Sequence, residues 1–327
     1  MQFGLHLPTW SWPDLDLARV ARLKDIARRA EELGFEWLWA PEHYIVAPGL
    51  YGSSFLATVP VIAYTIAVTE WIKIGSGIVI APLRNPVLFA KEIATLQALA
   101  QGRFVLGLGA GWDQHEFEVV GVPHRERGPR TDELIAVLRR LLTETDVSFH
   151  GNYYQFDHVT IEPALERFPE LWIGGGARVP TSLSPDRPQI SEPVLRRVLH
   201  ADGWLARASG NDELVRSDLA VVRQYLESQG RDPDSLHYGH INFLHIPRVE
   251  DKDGIWEEER EIVARVLGGH RSFEHLQNSH FMGPVDQTIE RIAGLRDAGV
   301  QSVTILPLDY DLEQIERFAA EVMPHFT

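Results

Sequence analysis

The chain contains no cysteine in 327 residues. Disulfides, thiolate nucleophiles and Cys-ligated metals are therefore excluded. Lysine is nearly absent, with 27 Arg against 4 Lys, a bias that speaks of a high-GC genome rather than a mechanism. Positive charge is scarce overall: the net charge is −15 and the pI near 5.4. Such a chain repels phosphate backbones, so nucleic acid is not an expected partner. Long apolar runs are missing too. The longest, around 56–68, is broken by Thr58, Pro60, Tyr64 and Thr65 and is too short to span a bilayer. The opening Met1-Gln-Phe-Gly-Leu-His-Leu-Pro8 has no basic n-region and reads as a strand, not a signal peptide. A soluble cytoplasmic protein with no membrane partner is expected.

Some motifs are missing as well. No G-x-S-x-G supports a serine nucleophile. No H-x-H follows the first strand, which argues against a metal-dependent barrel hydrolase. No Rossmann fingerprint opens a helix after the first strand. Gly107-Leu-Gly-Ala-Gly111 is only G-x-G-x-G and lacks the acidic residue about 20 positions on that a ribose needs. His237, His240 and His245, like His270, His275 and His280, match no metal-ligand spacing and read as scattered surface or lid histidines. No metal is expected.

What is present is an alternation of strand and helix in a chain 44% hydrophobic, enough for one elaborated barrel or two smaller domains. Strands are expected at 3–7, 37–40, 72–80, 104–108, 171–173, 203–206, 238–246 and 302–306. Helices are expected at 17–33, with Asp16 as N-cap and Gly34 as stop, and at 55–68. Others run from Pro86 to Gly102 and over 130–143, 211–229, 285–298 and 312–322, and one begins near Ser191. A small hairpin fits 147–149 and 153–156. About eight βα units favour an α/β fold of the (β/α)8 TIM-barrel kind over an open doubly wound sheet. Residues 1–327 are read as one domain. Two insertions, about 177–190 and 247–280, are expected to cover the C-terminal mouth of the barrel.

In such a barrel the chemistry sits at the C-terminal ends of the strands. Glu42-His43 follows the second strand directly. His43 there can titrate near neutral pH or simply bond a neighbouring loop; Glu42 can orient the imidazole or cap the loop. Gly75-Ser-Gly-Ile78 ends the third strand, where glycine serves either a close-lying planar ligand or a tight barrel corner. In Leu83-Arg-Asn-Pro86, Asn85 suits a helix cap, while Arg84 suits an anion or an ion pair. Trp172-Ile-Gly-Gly-Gly176 ends the fifth strand. Gly174, Gly175 and Gly176 can offer N–H groups to a phosphate, with Ser191 heading the next helix, or form an ordinary turn.

The order and spacing of these segments resemble the bacterial luciferase-like monooxygenases. The likeness runs from Ala40-Pro-Glu-His43 through Pro82-Leu-Arg-Asn-Pro86, Ala90-Lys-Glu-Ile-Ala-Thr-Leu96, Gly102-Arg-Phe104 and Gly107-Leu-Gly-Ala-Gly-Trp112 to Glu116-Phe117. It continues through Gly121-Val-Pro123, Phe149-His-Gly-Asn-Tyr-Tyr154, Trp172-Ile-Gly-Gly175 and Ala201-Asp-Gly-Trp204, about two thirds of the chain. The pattern is most similar to the actinobacterial subgroup classed as F420-dependent. The resemblance implies a TIM barrel, usually dimeric, that holds FMN or coenzyme F420 with its ring at the mouth. A small organic substrate and a separate flavin or F420 reductase are the partners it suggests. His43 would stand by the ring and substrate, with Trp112 and Glu116 as further candidates for substrate chemistry. Gly77–Ile78 would match the family's non-prolyl cis peptide beneath the ring, with Gly109 on the same cofactor wall. Two departures stand out. Ala110 occupies the place of an arginine that helps hold the FMN phosphate in luciferase. Trp112 stands where the F420-dependent sugar-phosphate dehydrogenases carry an acid. Residues 178–189 have no counterpart. Deazaflavin hydride transfer is slightly favoured over oxygen insertion with reduced FMN, and a cofactor-binding protein without turnover is the further alternative.

Overall fold

Near-continuous apolar runs dictate strands that are covered on both faces, the pattern of a parallel sheet wrapped in helices. The computed structural model describes residues 1–11, 17–46, 54–176, 190–206, 211–249, 251–267, 272–309 and 311–326. Its eight barrel strands are β1 (Gln2–His6), β2 (Trp37–Ala40), β3 (Lys73–Ser76), β4 (Phe104–Gly109), β5 (Glu170–Gly174), β6 (Gly203–Ala206), β7 (His237–Leu244) and β8 (Ser302–Pro307). Each pairs in parallel with its neighbours. β8 pairs with β1 through Phe3 and Val303, and β4 closes onto β5 through Leu106 and Leu171. The expected closed (β/α)8 barrel is the observed fold.

Aromatic side chains fill the barrel. Trp37, Trp39 and Trp172 are buried with Val105, Leu205 and Ile241, and the Trp39 and Trp172 rings meet at 5.3 Å. A larger apolar layer lies between the strands and the surrounding helices. The helix Pro86–Ala100 shows why local sequence sufficed there. Asn85 accepts from the Val87 and Leu88 amides, and Pro86 occupies the first turn, where its missing N–H is no loss.

Several boundaries differ from the sequence reading. The helix expected over 17–33 is two, Leu17–Ala21 and Leu23–Glu32, separated by a turn at Arg22; Asp16 lies outside the described residues. The helix expected from 55 begins at Thr58. Ser54–Phe55 instead pairs antiparallel with Trp10–Ser11. The strand expected over 72–80 is interrupted at the cis peptide Gly77–Ile78, and the Ser76 hydroxyl bridges to the Gly107 backbone there. It resumes as Val79–Ile80, paired with the end of β4. The last helix runs regularly over Leu312–Arg317 and then widens to a π turn over Phe318–Val322.

Residues 177–189 lie outside the described residues. The second insertion holds the helices Lys252–Val266 and Phe273–Ser279. Ile262, Val263, Leu267 and Leu276 from this insertion pack on Trp10, Phe243 and Leu306. That packing places the insertion against the β7–β8 side of the mouth.

Candidate active site

A cavity of about 190 Å³ opens where the strand ends converge. His6, Pro41 to His43, Gly77, Ile78, Trp112, Phe243 and Leu306 line it together with Trp10 and Phe55. Its floor is the Gly77–Ile78 backbone. A Cβ added to Gly77 would lie 3.0 Å from the Trp39 Cβ, so that direction is filled from below. The Ile78 side chain is directed at Gly109 and Gly174, where added Cβ atoms would come within 1.8 and 2.9 Å of it. Both side-chain directions thus point into protein and leave bare peptide surface. Such a surface fits a flat ring system.

His43 stands on the wall. Its Nδ1 lies 3.0 Å from Glu116 Oε2, while Glu116 Oε1 accepts the Tyr44 backbone N–H at 2.5 Å. The Glu116 side chain is 1% exposed and that of His43 18%. Glu116 is held by the short helix Gln114–Val120, which Asp113 caps by accepting the Glu116 N–H. A carboxylate bound at Nδ1 fixes the ring and its tautomer and leaves Nε2 for exchange with a ligand. Trp112 meets the imidazole edge-on at 5.7 Å.

The carboxylate that orients His43 is therefore Glu116, not Glu42. Glu42 turns the other way: Oε2 accepts the Ile80 N–H at 2.7 Å, and Oε1 pairs with the Arg84 guanidinium. Burial raises its pKa, against the pull of Arg84. Arg84 also reaches Glu92 at 3.4 Å and lies over the Phe89 ring. Of the two readings of Arg84, the geometry shows an ion pair, and Asn85 is a helix cap. Neither residue lines the cavity.

Gly109 and Gly174 reach the cavity only through Ile78. Gly175 donates to the Leu205 carbonyl at 3.3 Å and accepts from the Trp204 indole at 2.9 Å. Its φ of +155° and an added-Cβ contact of 3.0 Å with Val194 fit glycine. Gly176 follows at the edge of the described chain. Ser191 occupies the N-cap position of the helix Glu192–Val198, without a capping bond from its side chain.

His6, Trp10, Phe55 and Phe243 were missed as site residues. His6 ends β1, and its position alone could have flagged it, as it did His43. Its Nε2 lies 3.3 Å from the Gly77 carbonyl, and burial lowers its pKa to about 4, so it is neutral at physiological pH. Among the described residues no group of His, Asp or Glu is arranged to hold a metal, and no helix is long and apolar enough to cross a membrane.

A family model described as luciferase-like monooxygenase matches residues 1–300. The FMNH2-dependent dimethylsulfone monooxygenase of Pseudomonas putida is 31% identical over 340 residues, covering 96% of this chain and 88% of that one. The F420-dependent glucose-6-phosphate dehydrogenase of Kineococcus radiotolerans is 26% identical, covering 84% of this chain and 72% of that one. Among solved structures, an F420-dependent secondary alcohol dehydrogenase in complex with an F420-acetone adduct superposes with a TM-score of 0.79 at 18% identity. That match covers 100% of this chain and 99% of the other.

Proposed function

The chain belongs to the luciferase-like monooxygenase family, and from that premise we propose an oxidoreductase that carries F420 or FMN on the Gly77–Ile78 floor and transforms a small organic substrate beside His43. The observation that carries this reading is the buried Glu116 carboxylate aiming a wall imidazole into an apolar cavity above bare backbone. Bound F420 would supply hydride exchange, and reduced FMN would supply electrons for oxygen insertion. Deazaflavin hydride transfer is the first reading, supported by the superposable F420-dependent structure and by Ala110 in place of a phosphate-holding arginine. The reduced-FMN monooxygenase is the second, favoured by the likeness to the dimethylsulfone enzyme along nearly the whole chain.

The chain's own residues divide the work. His43 exchanges a proton with the substrate oxygen through Nε2, and Glu116 steadies the imidazole and balances its charge. Trp10, Phe55 and Trp112 exclude water. Gly176 and Ser191 are assigned to the cofactor phosphate, where the strand end and the start of the next helix favour an anion, since the Gly175 N–H is already taken by the Leu205 carbonyl. A homodimer in the cytoplasm, supplied where needed by a separate reductase, completes the proposal.

Equilibrium titration with F420 and with FMN, followed by absorbance of the bound form, tests the cofactor assignment. Absence of binding by both would overturn it. With the preferred cofactor bound, His43→Gln and Glu116→Gln should each lower turnover by about 10²–10⁴-fold. Cofactor affinity should stay within a few-fold. Wild-type turnover in both variants would reduce the pair to a structural contact.

A further inference from the structure

Four ring-to-ring contacts run in series around the cavity. Phe243 meets Trp10 edge-on at 6.1 Å, and Trp10 stacks on Phe55 at 6.1 Å and 19°. Phe55 lies 4.8 Å from the His43 ring, and His43 lies 5.7 Å from Trp112. These five rings come from the end of β7, the loop after β1, the segment before the helix Thr58–Val68, the loop after β2 and the loop after β4. The antiparallel pairing of Trp10–Ser11 with Ser54–Phe55 holds Trp10 and Phe55 together. Phe243 and Trp10 are backed by Leu306 and by the second insertion. Within this arc the one ionisable ring is His43, already joined to Glu116. No Arg or Lys is among the described residues that line the cavity, and Arg84 is taken up by Glu42.

From this arc we infer that the enzyme selects a neutral, apolar substrate, held by burial of its hydrocarbon body against Trp10, Phe55 and Phe243, with a single oxygen presented to His43. The inference rests on the proposed function, because it places the substrate over the same cofactor floor. The physics is that of a dry pocket. Apolar surface gains by entering it, whereas a carboxylate or phosphate carried on the hydrocarbon body loses its hydration and meets only rings on the Trp10, Phe55 and Phe243 side of the arc. Binding to such a wall is also insensitive to salt, because no ion pair is screened.

The test uses cofactor-loaded protein and matched pairs of probes. Cyclohexanone and cyclohexanol are compared with their 4-carboxylates, and 2-hexanone and 2-hexanol with the corresponding 6-carboxylates, in titrations read by cofactor absorbance. Neutral members should bind at least about a hundredfold more tightly than their carboxylates. Their affinity should be unchanged between low and high salt. Trp10→Ala and Phe243→Ala should each weaken the best neutral probe by about ten- to a hundredfold while leaving cofactor affinity within a few-fold. Equal or tighter binding of the charged members, no binding by any neutral member, or indifference to both substitutions would overturn the inference. Failure of the cofactor to bind at all would instead overturn the function on which it rests.

Discussion

Replacing Arg84 by methionine separates the two roles that its sequence context allowed. In the structure Arg84 neutralises Glu42, whose side chain is 2% exposed and whose other oxygen holds the Ile80 N–H at 2.7 Å. Arg84→Met keeps most of the packing over Phe89 but leaves a buried carboxylate with that amide and the Tyr44 hydroxyl and no cation. Breaking a buried pair from one side costs about 3–5 kcal/mol. At roughly 2.1 cal/mol/K per residue, a chain of this length unfolds with an entropy of about 0.7 kcal/mol/K, so the melting temperature should fall by about 4–7 °C. The pH dependence has a definite sign. Burial already raises the Glu42 pKa, and Arg84 is the largest opposing influence. Removing the cation lifts the folded-state pKa further above its unfolded value. The native state then holds the proton more tightly, so stability falls as pH rises from the unfolded pKa through the folded one. The deficit of the variant should therefore be largest near neutral pH and shrink toward pH 5. Glu42→Gln in the Arg84→Met background should recover most of the loss. Differential scanning fluorimetry across pH on the single and double variants measures all three effects. An unchanged melting temperature, or a double variant no more stable than Arg84→Met, refutes the reasoning. If cofactor affinity collapses while stability holds, Arg84 is a cofactor ligand after all.

Two further outcomes follow from the site and its surroundings. Burial lowers the pKa of His6, His237 and His240 to about 4 each, so between roughly pH 6.5 and 4 the unfolded chain binds more protons and stability drops on acidification, by up to about 4 kcal/mol per pH unit if all three take part. Denaturant midpoints should show His240→Gln losing about a third of that slope, and identical slopes in variant and parent would exclude the histidine as a cause. Ser191→Asp should weaken cofactor binding at least about tenfold by setting a negative charge where the phosphate is assigned, and an unchanged titration would move the phosphate elsewhere.

Much of the frame was legible because local chemistry and final structure agree. Apolar runs such as Trp37–Ala40 and Phe104–Gly109 became buried strands, and Asn85-Pro86 opened a helix as its residues require. Long-range pairing was harder to read. Trp10–Ser11 and Ser54–Phe55 are two-residue strands, too short for any periodicity to register, yet they bring two of the five rings of the aromatic arc into place. The helix Gln114–Val120 was overlooked although Asp113-Gln-His-Glu116 carries the acceptor-x-x-Glu signature of a helix start. Missing that helix left Glu116 without the partner that the structure gives it, and left Glu42, its neighbour in sequence, as the obvious companion of His43. Chain adjacency was misleading for a physical reason. Consecutive residues leaving a strand point in opposite directions, so Glu42 turns toward the Ile80 amide while His43 faces the cavity.

The glycines show how a motif can be informative for a reason other than the one first considered. Gly174 invites a reading as a backbone donor to a phosphate, and Gly109 as part of a cofactor wall. In the structure they are small because the Ile78 side chain occupies the space a Cβ would need, with contacts of 1.8 and 2.9 Å. They serve the floor by letting Ile78 turn into protein, which leaves its peptide open to the cavity. Glycine spacing in this chain therefore records the backbone geometry of the proposed cofactor floor, and the family likeness is written there. The opposite wall follows another rule. Trp10, Phe55 and Phe243 belong to no spacing pattern; any bulky apolar side chain would close the arc. What the wall fixes is the size and polarity of the remaining space. Substitutions on the floor should therefore affect every substrate alike through the cofactor, whereas substitutions in the arc should re-rank substrates and leave the cofactor in place.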